Sequence, residues 1–347
     1  MTTTVRELIH THHNVPCVTD VRGQTSIKPW TADYHDFSNS QVTVYEPTTN
    51  AINEFLGPIT PSNADEIGLD TPAFPLNIFP HEISSEGDVT MDFDQQIAPC
   101  VAGVFSGHSA PLLWPRSQIA PVGQTGQSVI VDYQLSMFHS GSTMRSLERP
   151  VAVGDMKKPF SIRGREWTRL DRVSSMTVRL QKELRGYAYK YDCPQVFIFD
   201  TKTLVIVQFR ARDREHIKSR SCLVDCCVIP REYIEDIPHQ CTMQYALYKL
   251  AWRGWVRLCV TLGRANDLRA QTDVKIHGCT REYEWWSGEP FWIDHHTGES
   301  CRSPRHIRRE FYYRSVQRRS GNTKVGGFWV WVDESDMILD DTKDCFT

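Results

Sequence analysis

An Asp and a Lys two residues apart close an apolar, strand-like run, Arg149-Pro-Val-Ala-Val-Gly-Asp155-Met-Lys157. Side chains alternate across a strand, so Asp155 and Lys157 point to one face. A second apolar run upstream, Val129-Ile-Val-Asp132-Tyr-Gln-Leu135, carries another carboxylate, and a loose turn through Ser140-Gly-Ser142 would fold the two runs into an antiparallel hairpin. The three charged groups would then converge at one sheet edge. Two carboxylates can hold a hard divalent cation, Mg²⁺ or Mn²⁺, that keeps part of its water shell, while a neighbouring ammonium stabilises charge on an attacking water or a phosphate. That is the chemistry of metal-assisted phosphodiester hydrolysis.

The elements that must position these groups are readable from periodicity. Val89, Phe93, Ile97, Val101 and Val104 recur at helical spacing, Ser85 can cap the start, and Pro99 should kink or interrupt the helix. In its first turn, Glu86 suits a capping or helix-dipole role, as does Glu82 just before it. A longer amphipathic helix is expected between Leu170 and Tyr191, with apolar residues at 173, 176, 180, 184, 187 and 191, before Cys193-Pro194 stops it. Gln181 lies close enough in angle to that stripe to border the buried face. Val196–Phe199 and Leu204–Phe209 read as strands joined by a short polar turn, Cys222–Ile229 as a third, and Thr242 to about Leu262 as a closing helix ended by Gly263. The result is an α/β chain with a mixed central sheet flanked by helices.

Asp132 followed by Asp155-x-Lys157 resembles the signature of the PD-(D/E)XK nuclease superfamily, and the likeness is to a fungal branch of uncharacterised members. That branch shows a "(V/I)GE(I/M)K.P" strand, then a helix with a Gln and a Tyr, then an aromatic strand. The counterparts here are Gly154-Asp155-Met-Lys157-Lys-Pro159, Gln181 with Tyr187, and Val196-Phe-Ile-Phe-Asp200-Thr-Lys-Thr-Leu204. The resemblance covers roughly residues 81 to 262. It implies a restriction-endonuclease-like αβββαβ core and a Mg²⁺- or Mn²⁺-dependent nuclease. Asp132 and Asp155 would ligate the metal with support from Glu86, Lys157 would act on the water and the phosphate, and Gln181 would reach towards the water or the scissile phosphate. In two places the chain departs from the pattern: Val131 stands where a proline often precedes the first carboxylate, and Asp155 replaces the commoner Glu. A catalytically silent nuclease-like module that binds nucleic acid or protein is the alternative.

The chain divides into a Pro-rich N-terminal extension (1–80), the nuclease-like core (81–263) and an aromatic, basic segment with an acidic tail (264–347). Pro-rich composition argues for extended and turn geometry in the first part, wrapped on the core or partly disordered. The whole chain of 347 residues carries a formal charge of −3, so a nucleic-acid surface must be a local patch. Such a patch exists between residues 302 and 324, where seven Arg and one Lys face a single acid, a net +7 that includes Arg308, Arg309, Arg318 and Arg319. Phe311, Tyr312 and Tyr313 interleave with it, so phosphate contacts and base stacking on DNA or RNA are conceivable there, against the alternative of pairing with the acidic tail. Tyr283, Trp285, Trp286, Phe291 and Trp292 form an aromatic cluster expected to pack on the core.

No secretory leader and no long apolar span is evident, which points to an intracellular protein, nuclear or cytoplasmic, with no membrane partner. The eleven dispersed cysteines then read as reduced thiols. Cys222, Cys226, Cys227, His239 and Cys241 lack the spacing of paired zinc knuckles, and adjacent Cys226 and Cys227 would point to opposite faces of a strand. Gly123-Gln-Thr-Gly126 lacks the Lys of a phosphate-binding loop, and Gly107-His-Ser109 lacks the second glycine of a nucleophile elbow.

Overall fold

A computed structural model describes residues 3–12, 17–19, 28–57, 63–73, 76, 81–108, 112–121, 129–138, 149–169, 173–261, 279–295, 298, 300–301, 307–317, 323–333 and 338–340. Its centre is a mixed seven-stranded sheet of β1 (Val42–Tyr45), β2 (Leu112–Ile119), β3 (Val131–Phe138), β4 (Arg149–Met156), β5 (Gln195–Phe199), β6 (Thr203–Arg210) and β7 (Leu223–Pro230), in the order β1-β7-β6-β5-β4-β3-β2. The pairs β2/β3, β3/β4, β5/β6 and β6/β7 are antiparallel, whereas β4/β5 and β1/β7 are parallel. A parallel pair needs a crossover, and the helix α3 (Ser175–Lys190) supplies it between β4 and β5.

Helices cover both faces. The helices α1 (Glu86–Gln96), α2 (Ala98–Val104) and α4 (Met243–Thr261) lie on one side with Val89, Phe93, Phe197, Phe199 and Leu250 in their shared core. On the other side α3 packs Leu180, Leu184 and Tyr187 against Val153, Ile198 and Val207. The α1 start follows its capping chemistry: Ser85 Oγ accepts from the Asp88 amide while Asp88 reaches back to the Ser85 amide. The chain breaks at Ile97, and Pro99 occupies the first turn of α2, where its missing N–H costs nothing.

Two glycines set how closely β4 can be approached. A Cβ on Gly154 would lie 2.1 Å from the Phe197 ring, and one on Gly254 of α4 would lie 1.9 Å from the Val151 carbonyl. Only the absence of side chains lets Phe197 and α4 press on the strand that ends in Asp155.

The first 80 residues contribute more than a wrapping. β1 is an edge strand of the main sheet, with Val42 to Tyr45 in parallel register with Val224 to Cys227. Short helices also form at Val5–His10, Thr49–Leu56 and Asn63–Leu69, because prolines such as Pro47, Pro58 and Pro61 fall between them and bracket helices instead of interrupting them. Towards the other end, Cys279–Tyr283, Pro290–Asp294 and Ser300–Cys301 form a small antiparallel sheet. Its aromatic cluster does pack: Trp292 is buried, and the Trp286 carbonyl accepts from Gln195 and Gln208. Ile307–Gln317 and Thr323–Asp333 pair as a long antiparallel ribbon that contains Arg308 and Arg309; Arg318 and Arg319 lie outside the described residues.

Cys226 and Cys227 do face opposite sides, Cys226 joining the α3-side core and Cys227 the α4-side core. Cys222, Cys226, Cys227 and Cys241 are free and buried, burial pushing the Cys226 and Cys241 thiols up to about 12, while His239 is exposed on a turn. Among the described residues, no helix is long and apolar enough to cross a membrane.

Candidate active site

The expected hairpin forms with the register Tyr133↔Gly154 and Gln134↔Val153, so the next step of the ladder sets Asp132 across from Asp155. Asp132 opens β3 and Asp155 nears the end of the antiparallel β4, which brings both carboxylates to one end of the sheet. The convergence is at strand ends and not at a sheet edge, since β3 and β2 lie beyond β4 in the strand order. The β4/β5 ladder continues one step further, with the Lys157 amide donating to the Phe199 carbonyl at 2.9 Å, and this fixes the backbone just past Asp155.

Asp155 and Lys157 meet on the expected common face. Lys157 Nζ lies 2.5 Å from Asp155 Oδ2 and 2.9 Å from Glu183 Oε2, with the lysine side chain 2% exposed. A second ammonium enters from the N-terminal segment: Lys28 Nζ is 3.2 Å from Asp155 Oδ1 and 3.8 Å from Glu183 Oε2, and it donates to the Tyr187 hydroxyl. Asp132 Oδ2 accepts from the Met156 amide at 2.9 Å, and its carboxyl group hydrogen-bonds with that of Asp155.

These contacts drive the carboxyl groups apart in acidity. Burial and the neighbouring Asp155 charge push Asp132 up to about 8. Burial also opposes ionisation of Asp155, but Lys157 and Lys28 outweigh it and hold that group well below the usual carboxylate range. Glu183 is pushed up to about 7 by burial and by Asp155, against the pull of Lys157. Lys157 is desolvated too, yet Asp155 and Glu183 keep it charged above the ordinary lysine range. At neutral pH the cluster is therefore a charged Asp155 between two ammonium groups, flanked by two carboxyls that hold protons or share them.

Gln181 is buried, but its side-chain carbonyl accepts from the Phe37 amide at 3.2 Å, so its described contact is with the N-terminal segment. Two residues along a helix are about 200° apart, and Glu183, on the other side of that turn, is the residue that meets Lys157. Glu86 sits in the first turn of α1, where its backbone carbonyl accepts from the Thr90 hydroxyl, and it is not among the residues that meet at Asp155.

Glu183 and Lys28 were not among the residues expected at the site. Glu183 did carry a signal: it stands three residues after Leu180 and four before Tyr187, on the buried stripe, and a carboxylate there must find a cation. Lys28 had none, since its partners are more than a hundred residues away.

Asp132, Asp155 and Glu183 bring carboxyl oxygens from two adjacent strands and a helix, of which Asp155 Oδ2 and Glu183 Oε2 are ion-paired with Lys157. Among the described residues, no three His, Cys, Asp or Glu side chains are grouped as a ready metal cluster, and it is lysine ammonium that faces the carboxylates. No protein-family model, no curated protein and no solved structure matches this chain.

Proposed function

We propose that the chain is a divalent-metal-dependent nuclease of the restriction-endonuclease-like type, hydrolysing phosphodiester bonds of DNA or RNA. The observation that carries the reading is the juxtaposition of Asp132, Asp155 and Lys157 at one end of β3 and β4. The order of elements supports it: α1/α2, the antiparallel β2-β3-β4 meander, the α3 crossover and the parallel β5 follow the αβββαβ sequence of that fold.

Asp132 and Asp155 are the residues to hold Mg²⁺ or Mn²⁺, with Glu183 from α3 in the place where Glu86 was expected to assist. The ion, when bound, supplies Lewis-acid polarisation of a phosphoryl oxygen and an acidified water. Asp155 stays ionised across the physiological range because two ammonium groups hold it so. To hold a cation, Asp132 and Glu183 would have to release the protons they keep near neutral pH, so binding should release protons and strengthen with pH. Lys157, pinned between Asp155 and Glu183, sets the position of Asp155 and supplies the positive field at the strand end. Arg308, Arg309, Arg318 and Arg319 are proposed to bind the phosphate backbone away from the scissile bond.

The alternative is a silent module of the same fold that binds nucleic acid or protein, and one observation favours it: Asp155 is already neutralised by two ammonium groups of the chain itself. Incubation with single- and double-stranded DNA and RNA in Mg²⁺ or Mn²⁺ separates the two. Cleavage that EDTA stops and that Asp155→Ala lowers by about 10²-fold or more is the expected result. No cleavage of any of the four substrates leaves the silent module.

A further inference from the structure

The ammonium of Lys28 has three donors, and three oxygens surround it: Asp155 Oδ1 at 3.2 Å, Glu183 Oε2 at 3.8 Å and the Tyr187 hydroxyl. Its side chain is 20% exposed against 2% for Lys157, so it stands on the solvent side of the same carboxylates. Asp155 thus divides its oxygens, Oδ2 facing the lysine of its own strand and Oδ1 the lysine of a distant segment.

That segment is built to hold the lysine there. The Lys28 carbonyl accepts from the Thr31 amide and hydroxyl at 3.0 and 2.8 Å, closing the turn that opens the 3-10 helix Pro29–Asp33. Trp30 packs edge-on to Tyr187 with ring centroids 5.2 Å apart and sits over Gly186, where a Cβ would be 2.2 Å from its ring. Further along, the His35 carbonyl accepts from Arg185 Nε at 3.0 Å, and the Phe37 amide is held by Gln181. Residues 28–37 form a strap clamped along α3, the helix that carries Glu183 and Tyr187.

We infer that Lys28 is the resident cation of the carboxylate site and that a divalent metal enters by displacing it, so that the strap gates metal loading. The inference rests on the metal-dependent reading above. The Lys28 ammonium and a divalent ion cannot share Asp155 Oδ1, because like charges at contact repel strongly where water is scarce. A site filled by its own lysine for nine-tenths of the time or more shows its ligand an apparent affinity about 10-fold or more below the intrinsic one.

The test is direct Mn²⁺ binding to the full chain, followed by the loss of the free-ion electron paramagnetic resonance signal, for wild type, Lys28→Met and Lys28→Arg. Methionine keeps the length and removes the charge; arginine keeps the charge. Lys28→Met should bind Mn²⁺ about 10-fold or more tighter than wild type, and Lys28→Arg should stay within about 3-fold of it. Trp30→Ala, which loosens the strap and leaves the ammonium, should fall between them. Equal or weaker binding by Lys28→Met overturns the inference. If that equality comes with metal-dependent cleavage by the wild type, the nuclease reading survives and only the gating falls. If neither protein binds Mn²⁺, both fall together.

Discussion

Two sets of cations, those of α4 and the two lysines at Asp155, differ in their partners, although Arg231 pairs with Asp92 on the α1 side and Arg185 of α3 donates to backbone carbonyls. On the α4 side, Lys249 donates to the Gly57 carbonyl, Arg253 to the Leu56 carbonyl at 2.5 Å and Arg257 to the Pro150 carbonyl at 2.9 Å and to Gln195 Oε1 at 3.1 Å. Those acceptors are neutral, and the groups staple α4 to the segment after the Thr49–Leu56 helix and to the sheet; only Arg253 also reaches a carboxylate, the half-exposed Glu289 at 2.6 Å. At Asp155, on the α3 side, Lys157 and Lys28 face the carboxyl groups of Asp155 and Glu183. Burial pulls both lysines down, and their partners decide the outcome: Lys249 falls to about 7, while Asp155 and Glu183 hold Lys157 up. Burial of a charge is not what distinguishes a site from a staple here. The distinction lies in whether the partner is a neutral carbonyl or an ionisable carboxyl group of the cluster.

Removing one member from each face gives the largest contrast. Asp155→Ala leaves Lys157 desolvated with only Glu183, and loss of one partner of a buried pair costs about 3–5 kcal/mol. Lys249→Met leaves no charge behind and fills the same volume, so its stability should stay within about 1 kcal/mol of wild type. Urea unfolding of the two variants measures both; a Lys249→Met loss as large as that of Asp155→Ala would erase the difference between the faces.

A smaller effect should come from the strand they share. Gly154→Ala drives a methyl into Phe197, whose ring stacks on Phe93 at 5.4 Å, and overpacking of this kind costs about 1–3 kcal/mol. Because Gly154 is the neighbour of Asp155, the same shift should also weaken cleavage. A variant with wild-type Tm and activity would mean that Phe197 moves aside freely and that β4 is not held from the α4 side.

Much of this arrangement was legible because it is local. Alternation along β4 put Asp155 and Lys157 on one face, the Ser85 cap and Pro99 marked the ends of α1 and α2, and the order of elements gave an α/β chain with helices on both sheet faces. What escaped was non-local or a matter of phase. Strand order decides whether Asp155 lies at an edge or inside the sheet, and it depends on the α3 crossover into β5. The pairing of β1 with β7 joins residues more than 170 positions apart, and the proline content around β1 concealed it. Gln181 and Glu183 were separable by helical phase alone, since one helix cannot aim both at the same point. Lys28 reaches Asp155 across 127 positions, and no pattern in the first 80 residues announces that contact.

The finest test of the comparison is the dependence of stability on pH, because the two faces should tilt it in opposite directions. Asp132 and Glu183 keep protons in the folded state up to about 8 and about 7, whereas in the unfolded chain they lose them near the ordinary values of 3.8 and 4.5. Over that interval the folded state binds more protons, so stability is full below the unfolded values and falls as pH rises towards neutrality. Lys249 reverses the sign. It is deprotonated in the folded state above about 7 and stays protonated in the unfolded chain up to about 10.5, so stability rises with pH through that window. Metal-free protein should therefore show a Tm that declines from pH 5 to a minimum between about 7 and 8 and then recovers, with a depth on the order of 5 °C. Asp132→Asn together with Glu183→Gln should make the acid limb shallower, with Asp200, which burial also raises to about 7, keeping the rest, and should leave the alkaline limb; Lys249→Met should flatten the alkaline limb and leave the acid one. A single variant that flattened both limbs would mean that the two faces titrate as one network, and the separation of staple from site would then fail.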